Sequence, residues 1–243
     1  MVVDSGEGHI ASSFSIVEIM VSIYRYLHWL QQPKDLTTHT ILSKGHAVYS
    51  LYGIMSELGE LSDTDLDTVC QYRSYLIGHV PVKPEKNFTV GTGSLGQGLP
   101  MALGRAYARR LAGDPTPEFV IVGDGELNEG SCWETLLLMH KFPQAGLRVF
   151  IDNNHSSTRA IPMQNAYAAL RAGWRTVDVD GHNITHIVQA LQQHNDMQNL
   201  ILICDTKKGY PLRDMIGNPV WHHRMPDHQE AAQFSLEIEQ FYA

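Results

Sequence analysis

Cysteine is scarce: Cys70, Cys132 and Cys204 are the three in 243 residues. Their odd number and the lack of a C-x-x-C pair argue against a disulfide framework and for core thiols in a reducing compartment. Positive charge is also short, with 18 Lys and Arg against 26 Asp and Glu and a net charge of -8. A basic face for a phosphate backbone is not expected, so no nucleic-acid partner is read here. No run of five like charges marks an interaction tail. The opening MVVDSGEGHIASS lacks a basic segment followed by an apolar one. It is not read as a secretory signal, and a cytoplasmic location is expected. The apolar-rich stretch from Ile16 to Leu30 is broken by Glu18, Arg25 and His28. It reads as the buried face of a helix and not as a membrane span. Internal repeats, low-complexity tracts and Pro/Ser-rich linkers are missing too.

What is present is an ordinary globular composition, 43% hydrophobic and 18% charged. The length can bury one sizeable core, as one large domain or two small ones. Thirteen histidines are many for this length. In FSIVEIMVSIYRYLHWL, apolar Ile16, Ile19, Met20, Ile23, Tyr24 and Leu27 recur at helical spacing, with Ser13 and Ser15 as candidate N-caps. HTILSKGHAVYSLYGIMSELG reads as a short strand, a turn at Lys44-Gly45 and a helix ending near Gly59. EFVIVGDG, LRVFIDNN, RTVDVDGH and NLILICDT read as strands, and LPMALGRAYARRLAG, SCWETLLLMHKF and NITHIVQALQQHN as helices. Continuous apolar strands alternating with helices predict an α/β fold, a mostly parallel sheet sandwiched by helices. A ligand then belongs at the carboxyl ends of the strands.

GTGSLGQG, from Gly91 to Gly98, contains G-x-G-x-x-G. A dinucleotide turn needs a strand before it and a ribose-binding carboxylate after the next strand. NFTV is a weak strand of four residues, and Asp114 sits before the next strand, in a turn. The glycines are equally compatible with a tight turn under a packed helix. VGDGELNEG carries more. Asp124 follows one apolar strand and Asn154 follows the next, thirty positions later. Each residue alone fits a turn. Together, a carboxylate, an amide oxygen and a loop carbonyl suit Mg²⁺ or Ca²⁺ shared with a diphosphate. Gly125 would let its N–H approach a phosphate oxygen.

Gly123-Asp124-Gly125 through Asn153-Asn154 resembles the thiamine diphosphate motif of thiamine-dependent enzymes. GHIASS, ILSKGHA, GHVPV, GTGSLGQGLPMALG, GDGELNEG, GWRTVDVDGHNI and NPVWHH follow the order of transketolases, so nearly the whole chain resembles the diphosphate-binding half of that family, as found in two-subunit transketolases. The resemblance implies a thiamine diphosphate-binding fold over residues 1–243 as a single domain. It implies that Asp124, Asn154 and the Ser156 carbonyl hold the metal, that Gly123 is among the cofactor-binding residues, and that the Gly125 N–H meets the diphosphate. The backbone near Gly93 and Leu95 would lie along the cofactor, which removes the nicotinamide reading. His46 and His222 would line the diphosphate and thiazolium, and His9 and His79 would face substrate hydroxyls. Glu129 would join a carboxylate network between paired sites. Neutral imidazoles suit such work near pH 7.

The resemblance also implies a missing half. In the family a glutamate on a pyrimidine-binding domain activates the cofactor, and arginines there bind sugar phosphate; no residue of this chain matches them. The expectation is a chain inactive alone, completed by a second transketolase subunit in a dimer of heterodimers. The expected reaction moves a two-carbon glycolaldehyde unit from a ketose phosphate to an aldose. Alternatives are a glycolyl unit passed to a carrier protein, a branched sugar made in a specialised pathway, or a non-catalytic cofactor-binding subunit. Departures from the family pattern surround the substrate mouth and leave donor and acceptor open. Ala11-Ser12 stands for a glycine pair, Val80 for a proline, TKKGYP for T-x-K-G-x-G, and HSSTRAIPMQ is an unusual loop. The chain begins eight residues before His9, where relatives carry a helix.

Overall fold

Five buried apolar runs become one all-parallel sheet in the computed structural model, which describes residues 2–6, 8–31, 36–157 and 162–242. The strands are β1 (Thr40–Leu42), β2 (Glu118–Gly123), β3 (Leu147–Asn153), β4 (Thr176–Asp180) and β5 (Leu200–Asp205), in the order β1-β2-β3-β5-β4. Every pairing is parallel. Consecutive residues of each central strand point to opposite faces. Phe119, Ile121, Phe150, Leu200 and Leu202 therefore enter one core, while Val120, Val122, Val149, Ile151, Ile201 and Ile203 enter another.

Helices cover both faces. Beside the short helices Val2–Ser5, Leu36–His39 and Asp63–Asp67, they are α1 (Ile10–Phe14), α2 (Val17–Trp29), α3 (Val48–Glu57), α4 (Gly98–Leu111), α5 (Gly130–Lys141), α6 (Gln164–Gly173), α7 (Ile184–Gln193) and α8 (His228–Tyr242). α2, α3 and α7 pack on the first core, and α4, α5 and α6 on the second. The apolar stripe of α2 is buried as its spacing predicts, with Tyr24 partly buried. By length and composition Ile10–Trp29 could cross a membrane, at a mean hydropathy of 1.3, but 72% of that window is buried in the fold. α7 starts where expected, its Asn183 side chain accepting the His186 N–H at 3.0 Å.

Two local expectations fail. Ser13 and Ser15 do not cap α2: its N-cap is Ile16, with no side-chain cap bond. They fall in and just after α1, and the Ser15 hydroxyl donates instead to Asp152 at 2.8 Å. NFTV forms no strand; Phe88 makes an isolated bridge to Lys83, and the chain from 89 to 97 runs as loop. The loop is held by scattered bonds instead of a ladder: Thr92 bonds the carbonyls of Val80 and of Leu42 at the end of β1, and the Gly96 N–H meets Glu126 in the turn after β2. Of the loop HSSTRAIPMQ, residues 158–161 lie outside the described residues.

A third, smaller cluster joins Ile10 and Ala11 of α1 to Leu212, Met215, Trp221 and Phe234. It is continuous in sequence with His9 and His222. It ties α1 to α8.

Candidate functional site

β2 and β3 lie side by side with Gly123 paired to Asp152, so the residues just after them, Asp124 and Asn154, emerge at the same sheet end. Asp124 is buried at the cleft floor. Its Oδ1 accepts the Gly125 N–H at 2.8 Å, and its Oδ2 faces the Ser157 N–H and hydroxyl, both at 3.2 Å. Asn154 is oriented by its neighbours. Its Nδ2 donates to Asp152 at 2.7 Å, which leaves Oδ1 to accept the Ser156 N–H at 3.1 Å.

Asp152, fully buried, is the hub beneath. It pairs with Lys44 and accepts from Ser15, Thr206 and Asn154. Removing one partner of such a buried pair typically costs about 3–5 kcal/mol, because an uncompensated charge remains.

The cleft above these groups has a volume of about 380 Å³. It is lined by His9, His46, His79 and His222, by Gly93 and Leu95 of the glycine loop, by Gly123, Asp124 and Gly125, and by Asn154 and Ser156. The structure thus brings together every residue singled out in the sequence except Glu129. That residue caps α5, is exposed, and lies against Gly96 outside the cleft lining. Sequence reasoning missed Ser12, Lys44, Glu126, Ser157 and Lys208, which also line it. The first four lie inside the family motifs or the unusual loop, and Lys208 lies inside TKKGYP, which departs from the family pattern.

The histidines crowd each other. His9 lies 5.1 Å from His46, 5.5 Å from His222 and 4.6 Å from His223 between ring centroids. Burial first, then the surrounding rings and Lys208, hold His9 down to about 4. Burial and then Lys44 push His46 down to about 2. Both are neutral at pH 7, able to donate from one ring nitrogen and accept at the other. Lys208 sits 2.7 Å from His222 Nδ1. An ammonium can only donate, so Nδ1 accepts and the ring proton resides on Nε2. Burial and the nearby Lys44 lower Lys208 to about 8. His79 packs against Gly93, which has φ +144°; a Cβ there would stand 3.2 Å from the His79 ring. Tyr52 anchors the His79 segment by donating to the Ile77 carbonyl at 2.8 Å.

Among the described residues no group of three or more His, Cys, Asp or Glu is disposed to hold a metal. The donors that converge are of another type: the Asp124 carboxylate, the Asn154 amide oxygen and the loop at Ser156. These are hard oxygens, which fit Mg²⁺ or Ca²⁺ and leave further positions to phosphate oxygens and water. Two lysines beside an aspartate-and-glycine turn suit an anionic ligand.

Comparison with known proteins gives the family. The family model for "Transketolase, thiamine diphosphate binding domain" matches residues 1–233. One of the subunits of the apulose-4-phosphate transketolase of Actinobacillus succinogenes is 34% identical, over 95% of this chain and 87% of that protein. Human transketolase is 31% identical over 96% of this chain, which spans only 39% of the human protein. In fold, the chain superposes on transketolase from Campylobacter jejuni with a TM-score of 0.77 at 23% identity, covering 91% of this chain and 38% of that one. The five-stranded parallel sheet, the oxygen donors at the ends of β2 and β3, and a family match over nearly all its length lead to one assignment: the chain belongs to the transketolase thiamine diphosphate-binding domain family.

Proposed function

We propose that residues 1–243 form a single diphosphate- and metal-binding domain, one half of a two-chain transketolase. The observation that carries this is the cleft itself, where Asp124, Asn154 and Ser156 meet two lysines and four histidines at one end of the sheet. Bound thiamine diphosphate supplies the nucleophilic carbon for moving a two-carbon glycolaldehyde unit from a ketose phosphate to an aldose.

The chain's own residues bind and orient. Asp124, the Asn154 amide oxygen and the Ser156 carbonyl would hold Mg²⁺, or Ca²⁺, against the diphosphate. The Gly125 N–H and the ammonium of Lys208 would meet diphosphate oxygens. His46 and His222 would line the diphosphate and the ring beyond it. Gly93 and Leu95 would present backbone along the cofactor. His9 and His79 would face the sugar hydroxyls and pass protons as neutral imidazoles. Glu129, outside the cleft lining, would join a carboxylate network between paired sites.

The second half of the site would come from a partner subunit with a pyrimidine-binding domain, in a cytoplasmic dimer of heterodimers. Support comes from extent: the chain spans 87% of a relative that is itself named as one of several subunits, but 39% of human transketolase. Two relatives named for apulose 4-phosphate match 95% of this chain, which favours a sugar phosphate of that kind as substrate. The test is turnover of a ketose phosphate with cofactor and Mg²⁺, by the purified chain alone and with its partner subunit. Activity is expected only in the mixture, and turnover by this chain alone would sink the two-chain reading.

A further inference from the structure

Glu126 follows Asp124 by two positions, yet its side chain turns under the cleft and is 2% exposed. Three separate segments donate to its carboxylate. Ser43 Oγ, from the turn after β1, reaches Oε1. The Gly96 N–H, from the glycine loop, reaches the same oxygen at 2.9 Å. The Gly123 N–H, at the end of β2, reaches Oε2 at 3.2 Å. Burial raises the pKa of Glu126, while these donors and nearby Lys44 oppose the rise.

Gly96 is the focus of the arrangement. Its N–H goes to Glu126, and its carbonyl accepts from Ser131 Oγ at 2.8 Å. It has φ +80°, and a Cβ would stand 2.7 Å from Glu129 Cβ. The loop is walled on the Glu129 side and tethered on the Glu126 side. Gly123 is also held by its pairing with Asp152 in the sheet, whereas the loop has no strand partner.

We propose that Glu126 is a positioning residue, whose carboxylate locks the glycine loop to the turns after β1 and β2 and so sets Gly93 and Leu95 along the cleft wall. The ligand part of this rests on the thiamine diphosphate reading above; the loop part does not. A carboxylate is required because two of the donors are fixed backbone N–H groups, one at each oxygen. An amide accepts at one end only and turns an NH₂ toward the other donor. Ser43 could rotate to adapt; Gly96 and Gly123 could not.

The experiment compares the full-length chain as wild type, E126Q and E118Q. Glu118 is a buried carboxylate at the opposite end of β2, paired with Arg105 and Arg109, so E118Q destabilises without touching the cleft. Amide hydrogen exchange of residues 91–98 is followed without ligand. Dissociation constants for thiamine diphosphate and for inorganic pyrophosphate, each with Mg²⁺, are measured by calorimetry well below all three melting temperatures. In E126Q, exchange in 91–98 should accelerate roughly ten-fold and thiamine diphosphate binding weaken roughly ten-fold, the scale of one lost hydrogen bond. Pyrophosphate, which reaches the turns but not the loop, should weaken less than about three-fold. Unchanged exchange in E126Q, equal acceleration in E118Q, or equal weakening of both ligands overturns the proposal. Should the wild-type chain alone bind neither ligand, the binding arm is run on the two-chain complex; failure there as well sinks the cofactor reading, and the exchange comparison decides in either case whether Glu126 positions the loop.

Discussion

Lys208 has a chemistry set by its neighbours. It shares the cleft with Lys44 and donates to His222, and burial holds it at about 8, below an ordinary lysine. An anion bound beside it favours the charged form and raises its pKa in the complex. The sign follows. Below pH 8 the ammonium is charged with or without ligand, and its contribution to affinity is complete. Above pH 8 the free protein loses the proton and must regain it on binding, so affinity declines with rising pH until the pKa of the complex is passed. Thiamine diphosphate affinity, measured by calorimetry from pH 6.5 to 9.5, is expected to be flat and then to fall above about 8. K208M should bind more weakly and lack that fall. A wild-type profile flat to pH 9.5 would remove Lys208 from contact with the diphosphate.

At the level of elements, the cleft depends on loops that the sheet holds only at their ends. The glycine loop adopts positive φ at Gly93 and Gly96, where side chains are strained. Gly93→Ala would add strain of about 1–3 kcal/mol and press a methyl toward the His79 ring, 3.2 Å away. Because the loop contributes little to either core, most of that energy should appear as local rearrangement. The expected outcome is a melting temperature within a few degrees of wild type and cofactor affinity weakened about ten-fold or more. A normal dissociation constant for G93A would show that the cofactor does not use this backbone. The same scale explains how His9 and His222 meet. They stand next to α1 and Trp221, which the small third cluster clamps together. Their proximity is a packing result.

For the whole molecule, the half-buried histidines His9 and His46 tie stability to pH. His9 at about 4 and His46 at about 2 stay neutral when folded, whereas in the unfolded chain both titrate near 6.5. Below that value the unfolded state takes up protons that the folded state refuses, so stability falls as pH drops through 6.5 and below. Glu118, raised to about 7 by burial, works in the opposite direction, gaining a proton in the folded state first. The histidine effect is therefore read as a difference. Between pH 7.5 and 5 the melting temperature of H46Q should fall less than that of wild type. Equal slopes would mean that His46 is solvated in the native protein.

The strands, most of the helices and the parallel sheet were legible from residue types alone. Unbroken apolar runs such as Phe119 to Val122 have only one place to go, a strand covered on both faces. Asp124 and Asn154 were legible as a pair because parallel neighbours end on the same side, so strand order alone brings them together. The roles of Ser15, Lys44, Glu126 and Lys208 were not legible. Ser15 carries the signature of a helix cap, and its hydroxyl goes to Asp152, 137 positions away. Lys44 and Glu126 look like turn charges until the fold buries both. Local spacing reports which face of an element is apolar; it says nothing about which distant donor will reach a buried carboxylate. That choice is made only when the sheet and its three clusters pack, because a charge removed from water must find partners wherever the tertiary structure has put them.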